Sequence, residues 1–448
     1  MPGYHIWTVG CQMNEADSER LASALEKMGC ERASRMEDAD LIVLNSCVVR
    51  QGVEDKVAGR LNSLKPLKRE DPNRTIALMG CMVGPRDESL KKRFPHVDLF
   101  LRPQDFDPLV RRLSDDDGTC LDNLGLLVPT HPRVSVNVPI IHGCDKFCTF
   151  CIIPYRRGRE RSRPIPELVE EVSALGRNGV KEVTLLGQNV DSYGQDLPDA
   201  PDLADLLTEL DPIDGIERIR FLTSHPNDMS QKLIDAVASL PKVCEHINLP
   251  IQAGDDEVLE TMRRGYASAD YLELTGRIRE TIPGVSMSTD IIVGFANETE
   301  AQFQRTVDIL EEVRFDKVHV APYSVRPGTI AFRKIDDSLE RDEKMRRLHV
   351  VEEVQKRIAG EINETLLGSE QEALVERRHK GKWQGRTRTN KLVFFPIEDE
   401  DLTGKMVNIR IEKTGPWSLQ GTPTSLRHSR APTRESIDWA VHSAAKLS

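Results

Sequence analysis

Short continuous apolar runs alternate with stretches of helical spacing over the first hundred residues. The runs at 3–10, 40–46 and 75–80 predict buried strands. A helical stretch at about 14–28 follows the first run, and another follows the second run and continues through Leu64. Strands that alternate with helices in this way predict an α/β domain with a parallel sheet.

The same alternation returns between residues 134 and 336. Its strand-like runs, separated by segments of helical length, are 181–186, 218–222, 246–249, 288–293 and 317–322. Repeated βα units of this size predict a full or partial parallel barrel. The polar stretch from 104 to 133, with Ser-Asp-Asp-Asp-Gly at 114–118, predicts a connector between the two domains.

Beyond Glu372 the pattern changes to short strand-like segments. They lie at 373–376, 392–395 and 406–411 between polar, glycine-containing turns, which predicts a small antiparallel β-barrel. Residues 422–433 predict a linker, and 438–447 predict a short helix. The overall fold class expected is therefore α/β with a C-terminal β-barrel.

The segment 377–391 is strongly basic, although the chain as a whole carries a formal net charge of -11. Seven Lys and Arg residues surround Trp383 in this segment. A run of charge alone usually marks a solvated face, but basic residues with an aromatic on a small barrel are typical of RNA-binding modules. We therefore expect RNA contact here.

The length of the chain and its number of cysteines further limit the class of protein to which it can belong. A chain of 448 residues predicts two or three domains, and nine cysteines in a chain with no export signal favour metal or catalytic use over a disulfide framework. No apolar run approaches the ~18 residues that cross a bilayer. We expect a cytoplasmic protein without membrane contact.

Cys144, Cys148 and Cys151 stand in the order Cys-x-x-x-Cys-x-x-Cys on one short segment. Three thiolates at this spacing can hold an iron-sulfur cluster at three irons, which leaves the fourth iron free to bind a substrate. The alternative, a structural zinc site, needs four ligands, and no second cysteine pair follows nearby. The spacing of His142 and Cys244 does not indicate that they complete such a site.

Cys11, Cys47 and Cys81 each follow the end of a predicted parallel strand. Because the carboxyl ends of parallel strands meet at one edge of a sheet, we expect the three to converge and to form a second cluster site with an exchangeable position. The alternative is three buried core thiols. The remaining cysteines, Cys30, Cys120 and Cys244, are expected to be ordinary packing or surface residues.

The Cys144 to Cys151 segment, with Phe150 before the last cysteine, resembles the signature of radical S-adenosylmethionine (SAM) enzymes. That resemblance implies a partial barrel of six βα units and a 4Fe-4S cluster whose open iron chelates SAM. It also implies reductive cleavage of SAM to a 5'-deoxyadenosyl radical. Phe150 would lie along the adenine ring.

The rest of the chain resembles the methylthiotransferases of this superfamily. The likeness is carried by Gly-Cys-Gln-Met-Asn at 10–14, Asn-Ser-Cys at 45–47, Gly-Cys at 80–81, and the segments 152–158, 161–164, 185–190, 223–226 and 385–391. It implies an auxiliary-cluster domain at 1–110, a linker at 111–133, a radical SAM domain at 134–365, a TRAM RNA-binding barrel at 366–424 and a tail at 425–448. Two loops depart from the family pattern, at 252–255 and 295–299.

The resemblance also assigns residues. Six cysteines (Cys11, Cys47, Cys81, Cys144, Cys148 and Cys151) would hold two 4Fe-4S clusters. Phe150, Gln188, Asn189 and Ser224 would contact SAM, and Lys382, Arg386, Arg388 and Lys391 would contact RNA.

The implied activity is methylthiolation of an isopentenyl-bearing adenosine next to the tRNA anticodon, which Gln12-Met13-Asn14 and the Ile-Pro-Tyr at 153–155 favour. The alternatives are a threonylcarbamoyl adenosine, a ribosomal-protein aspartate, or a non-enzymatic iron-sulfur RNA-binding protein. The partners implied are the tRNA anticodon loop, a reductant such as flavodoxin or ferredoxin, and a sulfur donor. The chain is expected to be a monomer.

Overall fold

The computed structural model describes residues 2–48, 51–114, 124–129, 132–396 and 400–427. Cys120 and the helix predicted at 438–447 lie outside these residues. Within them, no helix is both long enough and apolar enough to cross a bilayer.

The N-terminal domain is a five-stranded parallel sheet with helices on both faces. Its elements are β1 (Gly3–Val9), α1 (Gln12–Lys27), β2 (Glu31–Arg32), β3 (Leu41–Ser46), α2 (Gln51–Ser63), α3 (Lys65–Glu70), β4 (Thr75–Gly80), α4 (Glu88–Arg93), β5 (Leu99–Leu101) and α5 (Asp107–Leu113). The strand order is β2-β1-β3-β4-β5. Alternate residues of β3 pack into two different apolar clusters, which is why its run is continuously apolar.

Helix α5 occupies part of the predicted connector. The connector prediction is wrong for 107–113, because Phe106 and Leu109 are buried against the N-terminal sheet. Two apolar side chains in an otherwise polar stretch were too weak a periodic signal to predict this helix.

The central domain is the expected partial barrel. Its elements are β6 (Ser135–Pro139), β7 (Ile141–His142), α6 (Ile153–Arg157), β8 (Arg161–Ser162), α7 (Ile165–Arg177), β9 (Glu182–Leu186), α8 (Leu203–Leu210), β10 (Arg218–Leu222), α9 (Gln231–Ser239), β11 (His246–Asn248), α10 (Asp256–Thr261), α11 (Ser268–Thr281), β12 (Ser286–Val293), α12 (Glu300–Val313), β13 (Lys317–Pro322), α13 (Ile330–Lys334) and α14 (Arg341–Glu364). Parallel strands form the groups β10-β9-β6 and β11-β12-β13, which an isolated bridge from Ile219 to Val243 connects. The six-unit prediction is confirmed.

The C-terminal domain is a closed five-stranded barrel. Its strands are β14 (Glu370–His379), β15 (Lys382–Thr387), β16 (Leu392–Pro396), β17 (Met406–Gly415) and β18 (Ser418–Arg427), in the order β14-β15-β16-β18-β17. The pairing of β16 with β18 is parallel, so the barrel is mixed rather than purely antiparallel. The linker prediction is wrong for 422–427, which pair with β17.

The C-terminal barrel packs against the N-terminal ends of the central strands. Arg218 and Arg220 of β10 donate to the backbone carbonyl oxygens of Arg386, Thr387 and Arg388 at 2.6–2.7 Å. Both arginine side chains are buried. The C-terminal edge of the central strands, where active sites form in parallel barrels, therefore remains on the opposite side.

Candidate active site with two cysteine triads

Cys11, Cys47 and Cys81, here called the edge triad, lie at the C-terminal edge of the N-terminal sheet. A Cβ added to Gly10 would stand 3.0 Å from the Cys47 Cβ, and one added to Gly80 would stand 2.4 Å from the Ser46 carbonyl oxygen. Gly80 has a φ of 99°, which a residue with a side chain rarely adopts. The glycines before Cys11 and Cys81 thus allow the three strand ends to come together.

The thiols of the edge triad differ in their pKa values. The pKa of Cys11 falls to about 6, chiefly because the Cys47 side chain hydrogen-bonds to its sulfur, with Arg157 acting in the same direction. Burial raises the pKa of the Cys81 thiol, and the Arg157 charge opposes that effect. A cation from the central barrel therefore favours thiolate at two of the three sulfurs.

Cys144, Cys148 and Cys151, here called the loop triad, lie on the loop between β7 and α6. Backbone hydrogen bonds tie this loop down: the Cys144 amide donates to the Gly158 carbonyl and the Thr149 amide donates to the Met262 carbonyl. Burial raises the pKa of Cys144 to about 11 and that of Cys151 to about 12. Because a metal ligand must be a thiolate, the binding of a cationic metal centre here must release these protons.

Arg264 contacts the loop triad and was missed in the sequence. Its Nη1 donates to the Cys148 sulfur at 3.3 Å, its Nη2 donates to the Pro250 carbonyl at 2.7 Å, and its Nε donates to the Tyr266 hydroxyl at 2.9 Å. The side chain is buried. No spacing rule distinguishes it from the adjacent, exposed Arg263, so the sequence carried no signal for this contact.

One apolar cluster connects Cys81 of the edge triad with Cys144 and Cys151 of the loop triad. Cys81, Ile152 and Ile153 are buried in it, and Cys144 and Cys151 pack against it. Among the described residues no group of three Cys, His, Asp or Glu side chains is close enough to ligate a single metal ion. A cubane cluster distributes its cysteines over different irons, so a triad with wider spacing fits a cluster better than it fits one zinc ion.

Of the four predicted cofactor contacts, Phe150 lies in the cysteine loop itself, and the other three follow the C-terminal ends of β9 and β10. Phe150 is half-buried and meets Phe295 edge-on, and Gln188 is half-buried. The Asn189 amide donates to Asp228, which also pairs with Lys146 of the cysteine loop at 2.7 Å. The buried Asn189 Oδ1 accepts no hydrogen bond within the described part of the chain, as expected of an atom that faces a polar ligand.

Ser224 supports a buried carboxylate. Its hydroxyl donates to Asp191 at 2.9 Å, and the His225 amide donates to the other Asp191 oxygen at 3.1 Å. Burial raises the pKa of Asp191 to about 7 in spite of these two hydrogen bonds. Ser224 is therefore oriented by Asp191 at this strand end.

The four predicted RNA contacts have different surroundings. Lys382 is exposed and donates to Gln420, and the half-buried Arg386 pairs with Glu376 at 3.0 Å. Arg388 pairs with Glu245 of the central domain at 2.7 Å, and Lys391 pairs with Asp316 at 2.5 Å. The structure thus gives Arg388 and Lys391 interdomain partners that the sequence did not predict.

The aromatic residue of the basic segment is also placed differently from the prediction. Trp383 is 1% exposed and lies in the core of the C-terminal barrel, whereas Trp417 at the β17–β18 turn is 56% exposed. Trp417, Arg386 and Lys317 line a cavity of about 160 Å³ between the two barrels. An aromatic and two cations at one surface cavity form a better RNA-contact candidate than Trp383.

Three family models match the chain in order. They are Uncharacterized protein family UPF0004 over residues 3–102, the Radical SAM superfamily over 138–310 and the TRAM domain over 364–424. Each match falls on one of the three bodies described above. The predicted radical SAM fold and C-terminal TRAM barrel are confirmed.

Curated relatives extend over nearly the whole chain. The tRNA-2-methylthio-N(6)-dimethylallyladenosine synthase of Herpetosiphon aurantiacus is 53% identical over 93% of this chain and 96% of its own. Synthases of the same name from Dehalococcoides mccartyi and Chloroflexus aurantiacus are 49% and 50% identical, over 96% and 94% of this chain and 100% and 91% of theirs. The chain belongs to the family of these synthases. Its predicted membership of the methylthiotransferases is confirmed.

Solved structures support the fold. The radical SAM methyltransferase TsrM from Kitasatospora setae matches with a TM-score of 0.50 at 13% identity, over 86% of this chain and 78% of that one. The cobalamin-dependent radical enzyme OxsB matches with a TM-score of 0.51 at 14% identity, over 80% of this chain. The chain spans 56% of the length of OxsB. At these identities the likeness concerns architecture alone.

Proposed function

We propose that this chain is a radical SAM methylthiotransferase that converts N6-isopentenyladenosine next to the tRNA anticodon to its 2-methylthio derivative. The dimethylallyl group in the names of the relatives is the same isopentenyl group. The observation that carries the proposal is that Cys81 of the edge triad and Cys144 and Cys151 of the loop triad meet in one apolar cluster. Two sites held together in this way can act on one substrate carbon in succession.

The proposed roles follow from the donor sets. Each triad offers three sulfurs, which fits a 4Fe-4S cluster held at three irons, and the orphaned Asn189 Oδ1 fits a polar group of SAM. When bound, these groups supply the deoxyadenosyl radical, the sulfur and the methyl group. Phe150, Gln188 and Ser224 would contact SAM, and Arg264 would hold Cys148 in place.

The wider assignments are part of the same proposal. We place the auxiliary-cluster domain at 1–114, the linker at 115–133, the radical SAM domain at 134–365 and the TRAM domain at 366–427, since α5 and β18 extend beyond the predicted limits. Arg386 and Lys382 are the RNA contacts that we retain. The protein would act as a cytoplasmic monomer with a flavodoxin or ferredoxin as reductant and a separate sulfur donor.

Mass spectrometry of digested tRNA from cells that lack the gene tests the substrate. We expect loss of 2-methylthio-isopentenyladenosine, accumulation of the unthiolated precursor, and recovery on complementation. Loss of the methylthio-threonylcarbamoyl nucleoside instead would reassign the substrate. An unchanged tRNA pool would contradict the proposal.

Variants of the two triads test the division of roles. Cys11→Ala should still cleave SAM to 5'-deoxyadenosine but abolish methylthiolation, and its matched partner Cys148→Ala should abolish both. Iron content and product formation are measured on the same anaerobic samples. Methylthiolation retained by Cys11→Ala would contradict the auxiliary role of the edge triad.

A further inference from the structure

We propose that Arg157, from the central barrel, is a positioning residue of the edge triad: its free N–H groups and fixed charge hold the anionic sulfur ligands bound there. This inference rests on the proposed function, because it concerns the cluster that the edge triad would bind. It adds a residue from the second domain to a site whose three cysteines all come from the first.

The hydrogen bonding of Arg157 is incomplete. Its side chain is 0% exposed, and its Nη2 donates to Asp17 Oδ2 at 3.0 Å. Its Nε and Nη1 donate to no atom of the described residues. Buried polar groups without partners are costly, and a guanidinium with two open donor atoms indicates a missing anion.

The charge of Arg157 acts on the edge triad. Arginine stays protonated in proteins, and the Arg157 guanidinium lies close enough to Cys11 and Cys81 to act on both sulfurs. The guanidinium is therefore a permanent positive charge beside two sulfurs of the triad. Three thiolates and an additional hydrosulfide form an anionic set that such a charge would stabilise.

Other buried groups hold Arg157 in position. Asp17 lies on α1, which begins one residue after Cys11, so the helix that follows the first ligand also carries the partner of the arginine. Gln104 hydrogen-bonds to Asp17 and donates to His142 Nδ1 at 2.5 Å, two residues before Cys144. Asp17 is fixed by helix α1 and by Gln104, and it therefore holds the Arg157 side chain in its orientation toward the triad.

The test isolates the edge triad in full-length protein that carries Cys144→Ala, Cys148→Ala and Cys151→Ala. In this background the remaining cluster is titrated by EPR-monitored reduction and with sodium sulfide. Arg157→Met should shift the reduction potential to a more negative value, because a lost positive charge disfavours the added electron. It should also weaken sulfide binding about tenfold or more. Arg157→Lys should restore most of the potential, since it retains the charge.

Two further variants control for loss of structure. Asp17→Asn removes the opposing negative charge, so it should shift the potential in the opposite, positive direction, which general destabilisation would not do. Arg161→Gln removes an exposed cation nearby and should leave both readouts unchanged.

Three outcomes would overturn the inference. If Arg157→Met binds its full iron content and keeps the reduction potential and sulfide affinity of the parent, the inference fails while the proposed function stands. If Arg157→Met fails to fold, an unchanged reduction potential in Asp17→Asn would overturn the inference instead. Absence of any cluster in the parent background would instead overturn the proposed function itself.

Discussion

Arg264 illustrates how one buried side chain can tune the loop triad. Its hydrogen bond to the Cys148 sulfur places a positive charge next to a proposed cluster ligand. Hydrogen bonds to cluster sulfurs raise the reduction potential, so Arg264→Met should make the radical cluster harder to reduce and slow 5'-deoxyadenosine formation about tenfold or more. EPR-monitored potentiometry and product assays under dithionite check both effects.

The matched control is Arg263→Met, which removes the same side chain from the adjacent, exposed position. It should leave both the potential and the deoxyadenosine rate unchanged. If the two variants behave alike, the contact with Cys148 does not tune the cluster.

Because the pKa of Asp191 is raised, we expect the free energy of unfolding to depend on pH. Burial raises its pKa from 3.8 to about 7, so between these values the folded state holds a proton that the unfolded state has lost. Stability should therefore fall as pH rises through this window, by about 2 kcal/mol between pH 5.5 and 7.5, and level off above pH 8. Denaturant unfolding of anaerobic holoprotein without SAM measures the trend.

Asp191→Asn supplies the comparison, because the amide does not titrate. The difference in unfolding free energy between the two proteins should follow the curve of a single group with a pKa near 7. A difference that is independent of pH would show that Asp191 is ionised throughout the range.

The sequence indicated those candidate residues whose chemistry is uncommon and whose position follows from strand order. Cys11, Cys47 and Cys81 could be placed together because parallel strands end at one edge. Arg157 and Arg264 could not, because arginine is common on surfaces and its burial depends on contacts with segments more than a hundred residues away.

At the scale of elements, the turn between β15 and β16, which is the C-terminal part of the basic segment, is mainly a docking element. Arg388 donates to Glu245 and to the Pro241 and Val243 carbonyl oxygens. Arg388→Ala should therefore loosen the two barrels, at a cost of about 2–3 kcal/mol, since Glu245 would lose its partner at a partly buried position. Hydrogen exchange of residues 386–391 should accelerate accordingly.

Lys382→Ala is the control for that prediction, because this exposed lysine contacts Gln420 of its own barrel. Its exchange pattern over 386–391 should match that of the parent protein. Equal protection in Arg388→Ala and the parent would contradict the docking role.

The elements missed in the sequence share a physical cause. Strand β15 carries Lys382, Gln384 and Arg386 at alternate positions, and β18 contains Pro423, so neither has the apolar alternation of an ordinary strand. Closure of the barrel supplies their partners from β14, β16 and β17. Such long-range pairing cannot be inferred from a local pattern.

For the whole molecule, the TRAM barrel and the cysteine triads lie at opposite ends of the central strands. A five-residue strand such as β9 spans about 17 Å, so the RNA contacts that we propose for Arg386 and Trp417 would be at least that far from the reacting adenosine. Photo-cross-linking from position 417 should therefore label tRNA outside the anticodon loop. Cross-links to nucleotides next to the modified adenosine would contradict this arrangement.

Arg386→Ala should lower tRNA affinity and reduce the dependence of binding on salt, since one phosphate contact is lost. Deoxyadenosine release without tRNA should be unchanged, because the residue is remote from both triads. Filter binding across a salt series measures the first effect. An unchanged affinity at physiological salt would exclude Arg386 from the interface.

The anchoring of the TRAM barrel through Arg218 and Arg220 affects which positions of the sequence can vary. These arginines donate hydrogen bonds to the backbone carbonyl oxygens of 386–388. Every amino acid has such an oxygen. The half-buried side chain at 386 can therefore be exchanged without loss of these hydrogen bonds, whereas Thr387 is buried and its hydroxyl accepts a hydrogen bond from the Lys391 amide. A library randomised at position 386 should retain folded, docked protein while sampling new RNA preferences.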